Sequence, residues 1–145
     1  MNNLISMRDL SRDDILHLME TAERIETGAL KVDITGKLAA LLFFEPSTRT
    51  LFSFDTARKK LGGKTLIMTG TGNTSVKKGE LFADTLMTIS QYADLIIQRS
   101  PIEGAARYAA EVVDIPVVNA GDGSNQHPTQ ALLDLYSIIK TQGTL

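Results

Sequence analysis

Residues Leu38–Phe43 read Leu-Ala-Ala-Leu-Leu-Phe, with no polar side chain among them. A strand with one wet face alternates apolar and polar residues, whereas an unbroken apolar run of this length is expected of a strand covered on both faces. Three further short runs, at residues 65–68, 94–98 and 116–119, read as strands. Segments of helical spacing separate all four. Strand–helix alternation at this rhythm implies βαβ units with right-handed crossovers. The expected fold is therefore α/β: a doubly wound, four-stranded parallel sheet with helices on both faces, a Rossmann-like three-layer arrangement with strand order 2-1-3-4.

The intervening segments carry helical punctuation. Ser11 followed by Asp14 has the form of a capping box, and Ile15, Leu18, Met19, Ala22 and Ile25 recur at helical spacing before Gly28. A first helix with those five residues inward is expected. A second should cover residues 50–61, with Leu51, Phe54, Ala57 and Leu61 inward, and stop at Gly62-Gly63. A third spans roughly residues 80–92 and a fourth residues 104–112. Pro128 suits a helix's first turn, where a missing N–H costs nothing. That fifth helix should turn Leu132, Leu135, Tyr136 and Ile139 inward and close at Gly143. Residues 69–79 form a polar, glycine-bearing connection, and residues 121–125 a turn-forming cluster.

A chain of 145 residues suits one domain, residues 1–145, with one core. Acidic residues number 17 and basic residues 15, for a net charge of −2, which argues against a general nucleic-acid binder. There is no cysteine, so disulfides and thiolate metal sites are excluded. The two histidines, His17 and His127, stand far apart, and no HxxxH or HExxH spacing occurs, so no metal is expected. No signal peptide or membrane span is visible, and a cytoplasmic location with no membrane partner is the expectation.

In open α/β sheets, ligands bind beyond the carboxyl ends of the strands. The first strand is followed by Glu45-Pro46-Ser47-Thr48-Arg49-Thr50, and the second by a loop with Ser75, Lys77 and Lys78. The third ends near Arg99, and the fourth leads to His127, Pro128, Thr129 and Gln130. A helix N-terminus offers unpaired N–H groups and partial positive charge, and an Arg fork binds two oxygens at once. Each residue also has a plainer use. Ser47 or Thr48 can cap a helix, Arg49 and Lys77-Lys78 can be solvated, His127 can donate to a carbonyl, and Gln130 can cap. Together the strand ends describe a pocket for a small, highly charged oxyanion. No G-x-S-x-G, GxxxxGK[ST] or GxGxxG is present.

The run Phe43-Phe44-Glu45-Pro46-Ser47-Thr48-Arg49-Thr50 resembles the carbamoyl-phosphate signature of the carbamoyltransferases, and Gly121-Asp122-Gly123 with His127-Pro128-Thr129-Gln130 resembles their second signature. The likeness covers nearly the whole chain. Asn119-Ala120-Gly121-Asp122-Gly123 and Lys77-Lys78-Gly79-Glu80 favour the aspartate branch over the ornithine branch. The resemblance implies that Ser47, Thr48, Arg49 and Thr50 hold the phosphate of carbamoyl phosphate. It implies that Arg99 bridges phosphate and carbamoyl oxygen, that Thr50 and His127 donate to that oxygen, and that Gln130 orients the carbamoyl amide. Arg49, Thr50, Arg99 and His127 would be catalytic, with no cofactor. Ser75 and Lys78 match loop residues that reach a neighbouring subunit's site in a homotrimer, with room for regulatory subunits. Glu45 matches an acid that pairs with a second domain. That aspartate-binding domain is expected to be absent from this chain, which would bind L-aspartate only through it and would not turn over alone. Leu51 stands where many members carry an Arg, so no domain-closing contact is expected from it. Two other readings stay open: a non-catalytic phosphate or acyl-phosphate binding module, and half of an ornithine carbamoyltransferase. A scaffold with only caps and turns at its strand ends is a third.

Overall fold

The computed structural model describes residues 2–70 and 82–143. The elements run α1 (Arg12–Glu26), β1 (Leu38–Phe43), α2 (Thr48–Lys60), β2 (Lys64–Thr69), α3 (Phe82–Ser90), β3 (Leu95–Ser100), α4 (Ala105–Val112), β4 (Val117–Asp122) and α5 (Pro128–Gln142). The four strands form one sheet in the order β2-β1-β3-β4, every neighbouring pair parallel. This is the expected strand order. The chain steps to one side of β1 and then crosses to the other, so β1 and β3 flank a topological switch point.

The apolar run of β1 is buried on both faces, as its composition demanded. Ala40 and Leu42 join Ile96, Val117, Leu86, Ile89, Ala106 and Ala109 under α3 and α4. Ala39, Leu41 and Phe43 join Ile97 and Ala120 on the opposite face, with Leu51 and Phe54 of α2 packed against them. Each fully buried leucine in such a layer is worth about 2–5 kcal/mol against truncation to alanine.

The α1 start is as read: Ser11 Oγ accepts from Asp14 N at 3.1 Å while Asp14 Oδ2 accepts from Ser11 N at 2.9 Å. Gly143 ends α5 in the left-handed conformation, φ +78°. Ile25 departs from expectation and is 38% exposed. The reason is that α1 lies outside the sheet layer and leans on α5, so only part of its stripe finds cover.

Several ends shift. The second helix begins at Thr48, two residues early, and the third ends at Ser90, two residues early. Both β3 and β4 run farther than expected, so Arg99 lies within a strand and Gly121-Asp122 belong to β4. The register between β3 and β4 slips between Gln98 and Ser100, and Gly121 takes φ +118° there. Sequence gave no hint of the amino-terminal segment. Leu4 pairs with Val118 alongside β4, and residues Met7–Asp9 form a 3-10 turn. Among the described residues, no helix is long and apolar enough to cross a membrane.

Candidate functional site

A cleft of about 870 Å³ opens at the carboxyl ends of β1, β3 and β4, between α2 and α5. Ser47, Arg49 and Thr50 line one wall, His127 and Gln130 the other, and Arg99 the floor. Glu45 and Thr48 line an adjoining hollow of about 370 Å³ on the far side of Ser47. Ser75 and Lys78 lie outside the described residues.

The first wall is the start of α2. Ser47 holds the N-cap position, yet its side chain makes no capping bond; its Oγ donates instead to Thr50 Oγ1 at 2.9 Å. Leu51 N bonds back to Ser47 O, which by helix geometry leaves the N–H groups of Thr48, Arg49 and Thr50 without intrahelical partners. Arg49 is exposed and makes no ion pair among the described residues. This wall is rich in donors and cationic, and it spends few of those donors internally.

Arg99 is fixed from three directions. Its Nη1 donates to Ala120 O at 3.0 Å and its Nη2 pairs with Glu45 Oε2 at 3.1 Å. Gly121 completes the slot. A Cβ there would sit 2.7 Å from Arg99 Nη1 and 3.5 Å from His127 Cδ2, at a φ that L side chains rarely adopt. Only glycine lets the guanidinium and the imidazole lie against this stretch of backbone together.

The second wall is the β4–α5 connection. Asp122, 2% exposed, is its hub. Its Oδ1 accepts from Asn119 Nδ2 at 3.0 Å and Gln126 N at 2.9 Å. Its Oδ2 accepts from Gly104 N at 2.9 Å and Asn125 Nδ2 at 3.0 Å. Burial pushes this carboxyl's pKa up, but the four donors outweigh it and the net shift is downward. Gln126 Oε1 accepts from Ser6 Oγ at 3.1 Å, tying the turn to the amino-terminal segment.

His127 then takes the N-cap position of α5, with Pro128 in the first turn. Its side chain caps nothing and, among the described residues, donates to no carbonyl; Thr129 Oγ1 lies 3.4 Å from its Nδ1. Burial chiefly, and then the Arg99 charge, lower its pKa, with Asp134 opposing. Gln130 does not cap either, since its Nε2 donates to Asp134 Oδ1 at 2.9 Å. Sequence reading named Asp122 only within its signature run, with no role assigned, and missed Asp134 altogether. For Asp134 the signal was available as a Gln–Asp pair at i,i+4 on a helix.

Residues 2–140 match the family model for the aspartate/ornithine carbamoyltransferase carbamoyl-P binding domain. The chain belongs to this family. Among its carbamoyltransferase relatives, the aspartate carbamoyltransferase catalytic subunit of Parabacteroides distasonis is 52% identical over 143 residues, covering 99% of this chain and 47% of the relative. The same-named subunit of Methanococcus vannielii is 54% identical over 150 residues, covering 100% of this chain and 49% of the relative. The catalytic subunit of M. jannaschii aspartate transcarbamoylase superposes with a TM-score of 0.89 at 48% identity, over 99% of this chain and 48% of that one. Aspartate transcarbamoylase from Trypanosoma cruzi, solved with N-(phosphonacetyl)-L-aspartic acid, gives 0.87 at 36% identity, over 99% of this chain and 46% of that one. The chain thus spans about half the length of the curated relatives it matches.

Proposed function

We infer that the cleft binds carbamoyl phosphate, and that residues 1–145 act as the carbamoyl-phosphate-binding domain of an aspartate carbamoyltransferase. The observation that carries this reading is the placement of Arg99. It is held rigidly on the floor between two helix starts, one with unspent donors and the other with a neutral-leaning imidazole. A dianion with an acyl head fits that distribution. The phosphate meets Ser47, Thr48, Arg49 and Thr50, with Thr48 contributing from its backbone N–H, while the carbamoyl oxygen meets Arg99, Thr50 and His127. If Thr129 donates to Nδ1, the neutral His127 carries its proton on Nε2 and is a donor toward the cleft.

In a full-length protein of this kind the amine of L-aspartate would attack the carbamoyl carbon. The C–O bond to phosphate breaks, phosphate leaves with the electron pair, and the nitrogen gives up its proton. Arg99, His127 and Thr50 stabilise charge gathering on the carbamoyl oxygen, and the cationic wall stabilises the leaving phosphate. The products are N-carbamoyl-L-aspartate and phosphate, a step of pyrimidine biosynthesis in the cytoplasm. Contacts to aspartate would come from a second domain, with Glu45 exchanging Arg99 for it on closure. A homotrimer is part of the reading, with Ser75 and Lys78 of one protomer reaching its neighbour's cleft and room for regulatory subunits.

Calorimetry of this chain with inorganic phosphate and carbamoyl phosphate tests the reading. Weak binding of both is expected, lowered about tenfold by Arg49→Ala, together with no appreciable transfer to aspartate. An absence of any binding that Arg49→Ala can weaken overturns it. In full-length chains, Lys78→Ala mixed with His127→Ala should regain activity in reassembled trimers; confirmed mixed trimers without recovery would place Lys78 in its own subunit's chemistry or in none.

A further inference from the structure

The cleft is crowded with donors. Arg49, Arg99, Thr50 and His127 all offer N–H or O–H groups, and the acceptor Glu45 is occupied by Arg99. Beside the hydroxyl oxygens, the lining holds one side-chain amide carbonyl, that of Gln130. Gln130 lies three residues past His127 on the first turn of α5, and Asp134 lies one turn deeper. Gln130 Nε2 and Asp134 Oδ1 are 2.9 Å apart.

An amide can present either end, but an ionised carboxylate only accepts. Asp134 is exposed and its Oδ1 accepts from Gln130 Nε2, so the end of Gln130 that faces it is the NH2 end. That choice turns Oε1 away from Asp134, and among the described residues no donor meets it. Gln130 lines the cleft with that carbonyl oxygen unpaired among the described residues, an acceptor at a donor-lined space. A phosphate group at neutral pH has little to donate to it and a methyl group has nothing. A carbamoyl NH2 has two N–H groups.

We propose that Asp134 is a positioning residue that locks the polarity of the Gln130 amide, and so makes the cleft select an acyl group bearing N–H over an isosteric acyl group bearing methyl. The proposal rests on the carbamoyl-phosphate reading and adds a specificity device to it. Asp134 does not touch the ligand; it acts through Gln130. The rival role is a helix-surface pair at i,i+4, worth only a few tenths of a kcal/mol to the helix and nothing to selectivity.

Two stable phosphonates separate these roles. Phosphonoacetamide and acetonylphosphonate differ only in NH2 against CH3 beside the carbonyl. Dissociation constants for both, and for inorganic phosphate, can be measured by NMR titration of this chain and its variants. The unmodified chain should favour the amide by about 2- to 10-fold, the range of one hydrogen bond between neutral groups. Asp134→Glu should keep the preference. Asp134→Asn should reduce it toward that of Gln130→Met, which lacks the amide. Asp134→Lys, which donates to Oε1 and turns Nε2 outward, should abolish or invert it. Added positive charge strengthens both phosphonates alike and cancels in the ratio. A preference that survives unchanged in Asp134→Asn and Asp134→Lys overturns the proposal while leaving the site reading intact. No preference in the unmodified chain also overturns it. If neither phosphate nor either phosphonate binds in the cleft, the carbamoyl-phosphate reading falls and this inference with it.

Discussion

The two walls of the cleft are both helix starts, and they are built on opposite principles. At α2, Ser47 withholds its cap, Arg49 stands exposed and the first-turn N–H groups are unspent. At α5, almost every polar group before the helix is used: Asn119, Asp122, Asn125 and Gln126 bind one another, α4 and the amino-terminal segment. One wall leaves its hydrogen-bonding capacity unspent, and the other consumes it to hold His127 and Arg99 in place. On the carbamoyl-phosphate reading proposed above, a site that grips charge and orients an acyl group needs each kind. Damage to the α2 wall should therefore appear in binding, and damage to the α5 wall first in stability.

The sharpest test is Asp122→Ala. Losing the buried carboxylate leaves four donors without it and should cost about 3 kcal/mol in urea unfolding, with binding lost as a consequence. Linkage gives a second reading of the same group. The folded-state pKa of Asp122 is lowered, so its contribution is full above the unfolded value of about 3.9 and is lost as pH falls through the folded value. In Asp122→Asn that acid limb of the stability–pH curve should flatten.

Next is Gly121→Ala, whose Cβ would collide with Arg99 Nη1. A loss of about 2 kcal/mol is expected from the strained φ and the displaced guanidinium. Loss of phosphate binding in a variant that still folds would tie Arg99's seat to glycine. If Gly121→Ala binds like the parent, the slot is looser than the geometry says.

Arg49→Ala should do the reverse. Affinity for phosphate should fall about tenfold, equivalent to about 1.4 kcal/mol, while unfolding stability stays within about 0.5 kcal/mol of the parent. A marked loss of stability would erase the contrast between the walls.

The smallest effect concerns His127. Its pKa is lowered by burial and by Arg99, so the unfolded chain binds more protons between the folded value and the unfolded value of about 6.5. The stability that follows is fully present above the unfolded value and declines as pH falls toward the folded one. NMR titration should show His127 of the folded chain titrating at lower pH than the same histidine in an unstructured peptide. Coincident curves would mean the second wall is wetter than its packing implies.

Much of the frame was legible because it is set by local pattern. The apolar run of β1 demanded two covered faces, and Ser11–Asp14 and Gly143 marked helix ends by chemistry that acts over a few residues. The strand-end motifs located the cleft because parallel α/β sheets place ligands there. What escaped was long-range. Gly121-Asp122 reads as a turn, and becomes strand because Asn119 Oδ1 accepts from Gly121 N while Asn119 Nδ2 donates to Ile5 O, a partner 114 positions away. Nothing local to residues 2–6 announces a strand, since their pairing is with a segment on the far side of the sequence. Ile25 obeyed helical spacing and still faces solvent, because spacing says which residues share a face and not whether anything covers it.

The pairing of Leu4 with Val118 has a consequence in time. Residues 3–6 are synthesised more than a hundred residues before their partners at Val117, Asn119 and Gln126. At a synthesis rate of about 5–20 residues per second, that segment must wait roughly 6–25 s for its seat. The β4–α5 wall of the cleft is therefore completed by an earlier-made segment returning to a later-made one. Deletion of the first few residues, far from the cleft in sequence, should accordingly loosen His127 more than it loosens the β1–β2 half of the sheet.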